Sequence, residues 1–116
     1  MRHATPPPVP QRLREVLKDY PEHIQKLQAA LNHVAEKPST GIPVIEQAIW
    51  ALEDTLERFA LDAGKETKVA EASGDPLAVE QATARESLMC RAASKTVWVG
   101  DRELSEYFRA PGKFSL

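Results

Sequence analysis

The sequence predicts an all-α protein: a three- to four-helix bundle built on a long antiparallel helical hairpin, closed by a short C-terminal helix. Three observations carry that prediction. Apolar residues recur at steps of three and four through most of the 116 residues. Aromatics are 6% of a chain that is 42% hydrophobic, so Leu, Ile, Val and Ala must build the core, a composition that suits helices better than a sandwich. Proline and glycine gather at a few points and divide the helical pattern into segments. The length allows one compact domain, residues 10–110, and is too short for two. No internal repeat is evident.

Residues 1–9 contain Pro6, Pro7 and Pro8, whose rings lock φ and remove backbone donors, so the segment reads as an extended, flexible Pro-rich arm. The helical seam then begins: Leu13, Leu17, Tyr20, Ile24, Leu27, Leu31 and Val34 step by four and three straight past Pro21. Asp19-Tyr20-Pro21-Glu22 has the form of a capping box, with Asp19 accepting from the amide three residues on and Pro21 in the first turn, where its missing N–H is no loss. The expected result is a helix at about 11–18 abutting one at about 20–36; a kinked single helix is the alternative.

Lys37-Pro38-Ser39-Thr40-Gly41 is a short break, which implies an antiparallel neighbour, and Pro43 falls in the first turn of the third helix. That helix, about 43–73, carries Ile45, Ile49, Leu52, Leu56, Phe59 and Ala63 on one face and Glu46, Glu53, Asp54, Glu57 and Arg58 on the others. It is expected to run through Gly64, because one interior glycine costs only about 1 kcal/mol among good helix formers. Ser73-Gly74-Asp75-Pro76 supplies the stop: a glycine C-cap, an aspartate N-cap and a proline at the first helical position.

The returning helix, about 76–98, has a weaker stripe of Val79, Ala82, Met89, Ala93 and Val97, interrupted by Glu86 and rich in alanine, which permits close approach. Asp101 can cap a last helix, about 101–109, with Leu104, Tyr107 and Phe108 on adjacent turns, and Pro111-Gly112 leads into the tail 111–116. At ~1.5 Å per residue, the helix 43–73 spans ~45 Å and the two N-terminal pieces together ~39 Å, so they can cover most of it.

The same residues narrow the chemistry. Fifteen basic and 17 acidic residues leave a net charge of −2, which gives no long-range attraction for polyanions. The nucleic-acid reading therefore stands second and rests on Arg2, Arg12, Arg14 and Lys18, joined by Arg109 and Lys113 if the termini gather; Glu15 and Asp19 oppose it. Apolar runs fall far short of the ~20 residues that cross a bilayer, and the N-terminus lacks the apolar segment of a secretory signal. The lone Cys90 can form no internal disulfide, so a soluble cytoplasmic protein without membrane contact is expected.

No cofactor, metal ligand or catalytic residue is predicted. His3, His23 and His33 are too dispersed to converge on a metal, and His33-Val34-Ala35-Glu36 reads as a solvated pair. Mid-helix Cys90 lacks activation and reads as a buried or half-buried structural thiol. Glu53 and Asp54 point ~100° apart on a helix and cannot share a proton. No phosphate-cradling glycine motif or nucleophile elbow occurs. The residues that most need explanation are Trp50, Trp98, Tyr107 and Phe108. Trp50, beside Ile49, either broadens the core stripe or presents an apolar surface to another chain, and Trp98 with Tyr107-Phe108 either caps the bundle end or swaps onto a second subunit. The four form the candidate interface set, although a core role is the commoner one for any single aromatic. The expected function is a non-enzymatic helical interaction, assembly or adaptor protein, whose partner is another protein or a second copy of itself in a homo-oligomer.

Overall fold

Helix α3, Val44–Ser73, is the axis of the molecule in the computed structural model, which describes residues 6–109. Its buried residues are Ile45, Ala48, Leu52, Leu56, Phe59, Ala63, Thr67 and Ala70, at steps of three, four, four, repeated. That is an eleven-residue period of ~3.67 residues per turn, close to the ~3.6 of a straight helix, so the buried stripe runs almost parallel to the helix axis. Ala48 takes a core position beside the expected Ile49, which is only half-buried. The helix continues unbroken through Gly64 and stops at Gly74, whose φ of 75° is the left-handed conformation glycine adopts without a Cβ clash. Asp75 then caps α4, Pro76–Ala93, by accepting from the Leu77 amide at 3.1 Å.

Gly64 also explains the apolar interruption in α4. A Cβ at that position would lie 3.2 Å from Glu86 Oε2, so the missing side chain makes the space in which Glu86 lies against α3.

Helix α2, Pro21–Glu36, packs along the first half of α3 through Leu27, Leu31, Val34 and Ala35. The connecting loop is closed by Gln47, whose amide accepts from the Ser39 N–H and donates to the Ser39 and Ile42 carbonyls at 2.8–2.9 Å. Pro43 sits just before α3 rather than in its first turn. The capping box expected at Asp19 does not form. Tyr20 is the residue preceding α2 and no side chain caps it, because the helix begins one residue later than the box requires and Glu22 falls at its second position. Pro21 does occupy the first position. Helix α1, Gln11–Val16, is thus separated from α2 by a true turn over Leu17–Tyr20, and it is the break rather than the kink that occurs.

Part of the expected arm is packed. Val9 and Pro10 are buried, Pro7 O accepts from Gln28 Nε2 at 2.7 Å, and Val9 O accepts from Arg14 Nε at 3.0 Å. Proline carbonyls remain good acceptors, so a segment that cannot be helical can still be tied down. Residues 1–5 and the tail 111–116 lie outside the described residues.

The expected single helix over 76–98 is divided. Ser94 is extended (φ −72°, ψ 120°), α4 ends at Ala93, and a one-turn helix α5, Lys95–Trp98, follows. Helix α6, Arg102–Arg109, returns to α3. Asp101 fastens this end of the bundle: one carboxylate oxygen accepts from the Gln11 amide of α1 at 3.0 Å, the other from the Leu104 amide of α6 at 2.8 Å. No strand occurs among the described residues, and an all-α bundle built on the α3–α4 hairpin is observed.

The core is not uniform along the bundle. The main apolar cluster extends from Val9 to Ala63 and from Met89 to Phe108. Beyond it, the far part of the hairpin buries only Thr67, Ala70 and Ala82. The hairpin therefore extends from a well-filled head as a slim, alanine-packed arm.

Candidate functional surface

The four aromatic candidates separate cleanly. Trp98 is 1% exposed, and Tyr107 and Phe108 are buried with it in the core cluster, their two rings meeting edge to face at 5.1 Å. Trp50 is 52% exposed. The break at Ser94 accounts for Trp98. On an uninterrupted helix, nine residues at ~100° each would set Trp98 ~180° from the buried Met89, on the outer face. The extended Ser94 changes the phase and turns the indole inward. Its Nε1–H finds no hydrogen-bond acceptor among the described residues. Burial raises the Tyr107 phenol above its ordinary pKa of 10.0.

Trp50 lies on the side of α3 opposite the buried stripe, within an exposed row formed by Glu46, Trp50, Asp54, Glu57, Leu61, Lys65, Lys68 and Ala72. These eight positions step by four, four, three, four, four, three, four, the same period as the buried stripe, and they fall in a band ~100° wide. The row is consequently straight. Leu61, 67% exposed, follows Trp50 by eleven residues and shares its azimuth. Acidic residues of the row all precede Leu61; its lysines all follow it. Leu61, Lys65 and Lys68 were not singled out by the sequence pattern, although the eleven-residue interval from Trp50 was a readable signal.

A second group of polar side chains sits where α1 turns into α2. The His23 ring lies 5.4 Å from Tyr20 and 4.3 Å from Phe59, and its pKa is lowered from 6.5, first by burial and then by Lys26. Arg85 of α4 pairs with Glu66 of α3, and the Tyr20 side chain together with Glu66 holds the guanidinium even more firmly in its charged form. Asp19, Gln81, Leu88 and Arg91 line an open depression beside them. These contacts staple α4 to α3 and to the α1–α2 turn. They gather no nucleophile with a base.

The remaining sequence candidates are dispersed. His33 and Glu36 are exposed, as expected of a solvated pair. Cys90 is exposed, contrary to the buried or half-buried thiol expected, because Met89 and Ala92 take the inward positions of that turn. Glu53 pairs with Lys95 at 3.3 Å. Among the described residues, no three His, Cys, Asp or Glu side chains converge as metal ligands, and no helix is long and apolar enough to cross a membrane. On the basic N-terminal face, Arg14 turns to Glu103 at 3.3 Å and to Val9 O, while Arg12 and Lys18 are exposed. Arg2, His3 and Lys113 lie outside the described residues.

No family model, no curated protein and no solved structure matches this chain.

Proposed function

We propose that this chain is a non-enzymatic helical interaction protein, an assembly or adaptor factor that self-associates and docks through the outer face of α3 with Trp50 as the anchor. The observation that carries the reading is the exposure of Trp50 on a straight, wholly exposed row while Trp98, Tyr107 and Phe108 are buried. Covering the exposed half of an indole side chain of ~250 Å² at ~25 cal/mol per Å² is worth ~3 kcal/mol, enough to make one residue a hot spot. A lone cysteine and a small net charge fit work in the cytoplasm as a soluble protein.

The competing reading, a nucleic-acid-associated regulator, has less to draw on, since Arg14 is engaged within the chain and Glu15 and Asp19 flank the remaining cations. Its test is binding of mixed-sequence DNA and RNA at low salt, where phosphate attraction is strongest; no binding there refutes it. For the interaction reading, the mass of the full chain is measured by light scattering from low to high micromolar concentration, beside Trp50→Ala. A concentration-dependent rise above the monomer mass, lost in Trp50→Ala at unchanged helicity, is expected. A strict monomer throughout overturns self-association.

A further inference from the structure

We propose that the partner on this face is a second copy of the same chain, paired antiparallel along α3 about a two-fold axis beside Leu61. The inference rests on the interaction reading above and specifies its partner and register. Its ground is the order of charges on the exposed row: Glu46, Asp54 and Glu57 on one side of Leu61, Lys65 and Lys68 on the other.

Reversing the row onto itself sets the first position against the eighth, the second against the seventh, and so inward. Glu46 then faces Ala72, Trp50 faces Lys68, Asp54 faces Lys65, and Glu57 faces Leu61 within reach of the same Lys65. Every acidic group toward the centre meets a lysine, and the lysine ammonium opposite Trp50 lies over an indole face, an attractive arrangement in its own right. Parallel pairing does the reverse. It stacks Asp54 on Asp54 and Lys65 on Lys65, and like charges in contact disfavour it. The eleven-residue period matters equally: because the row drifts only ~20° per repeat, two copies can stay in contact along the helix with no more than a slight right-handed coil.

Leu61 and its mate flank the axis, and the two Trp50 side chains lie ~13 Å to either side of that axis along the helices. With three apolar positions in eight, the contact falls near the ~1,000 Å² lower limit of specific interfaces, so a reversible dimer is expected rather than a permanent one. Such an interface owes its register to charge.

The test uses two surface-charge variants of the full chain. Asp54→Lys with Glu57→Lys makes the centre of the row wholly basic; Lys65→Glu with Lys68→Glu makes it wholly acidic. All four positions are exposed, so far-UV circular dichroism should match the wild type. Each variant alone should have its dimer dissociation constant raised by more than about tenfold, and an equimolar mixture should recover a 1:1 dimer by sedimentation. A second measurement fixes the direction. With Cys90→Ser removing the native thiol, Leu61→Cys should be joined into a dimer by a short bismaleimide, whereas Ala72→Cys, carried to opposite ends by the antiparallel arrangement, should not. Wild-type association with no response to either charge variant, or equal crosslinking at both cysteines, overturns the antiparallel pairing and leaves self-association standing. A wild type that never exceeds monomer mass overturns both.

Discussion

Replacing Gly64 by alanine sets two opposing effects against each other, and the geometry decides the sign. Alanine is favoured over glycine in a helix interior by ~0.8–1.0 kcal/mol, because the unfolded chain loses less backbone freedom on folding. Against this, the new Cβ would lie 3.2 Å from Glu86 Oε2 and 3.8 Å from its carboxyl carbon, so the oxygen must retreat by a few tenths of an ångström. That oxygen ends a flexible side chain that is only partly buried, and its displacement requires less torsion than the ~30° rotamer distortion that costs ~0.5–1.5 kcal/mol. The net expectation for Gly64→Ala is a gain of ~0.5–1 kcal/mol, or a rise of a few degrees in Tm for a domain of this size. Thermal and urea melts followed by circular dichroism provide the measurement. In a Glu86→Ala background the opposing contact is gone, and the same substitution should give the full ~1 kcal/mol. A lower Tm for Gly64→Ala would show that the carboxylate cannot give way, and the account of this helix contact would be wrong.

Four further outcomes are expected. Asp101→Ala removes the acceptor for both Gln11 N–H and Leu104 N–H and should cost ~2 kcal/mol in urea melts, taking each charge-assisted cap at ~1 kcal/mol. Trp98→Ala should cost ~3–5 kcal/mol, while Trp98→Phe should stay within ~1 kcal/mol because its smaller cavity is offset by deleting a buried donor that has no acceptor among the described residues. His23 has a folded-state pKa below its unfolded 6.5, so the unfolded chain binds more protons between the two values; stability is full above that window and falls as pH drops through it, a decline in Tm that His23→Gln should flatten. Asp19→Ala and Pro21→Ala should each change stability by less than ~0.5 kcal/mol, since Asp19 caps nothing and proline at a first helical position surrenders no hydrogen bond; a larger loss in either would contradict the observed start of α2.

The long elements were legible because they obey one rule at a time. The Leu13–Val34 seam, the continuation through Gly64 and the stop at Gly74-Asp75-Pro76 depend on periodicity and capping, which are local. What was misread depends on phase. A single extended residue, Ser94, carries no strong punctuating signature, yet it rotates everything after it and converts Trp98 from an outward to an inward residue. The Asp19 box failed by one residue, within the ordinary uncertainty of helix starts. Val9 and Pro7 were drawn inward by tertiary contacts with α1 and α2 that no local pattern announces. Trp50 was named from its residue type and its place beside the seam, next to Ile49, which left core and surface both open. The row around it becomes visible once the buried stripe of α3 is seen to repeat every eleven residues, because the opposite face must then repeat likewise.

The slim arm beyond Ala63 and Met89 sets a gradient of order along the molecule. Its contacts are close in sequence, joined by the turn at Gly74, so it can form early in folding; its alanines bury little, so it can also open without the head. Amide hydrogen exchange should therefore be fastest toward Ser73 and slow progressively toward Leu52. Lys65 and Lys68 lie on this arm, whereas Asp54 and Glu57 lie over the head. If two copies pair as inferred, each rigid head grips the other's looser arm, and slowing of exchange on dimerisation should be concentrated in the arms. Association would then be felt most at the part of the chain farthest from its own core.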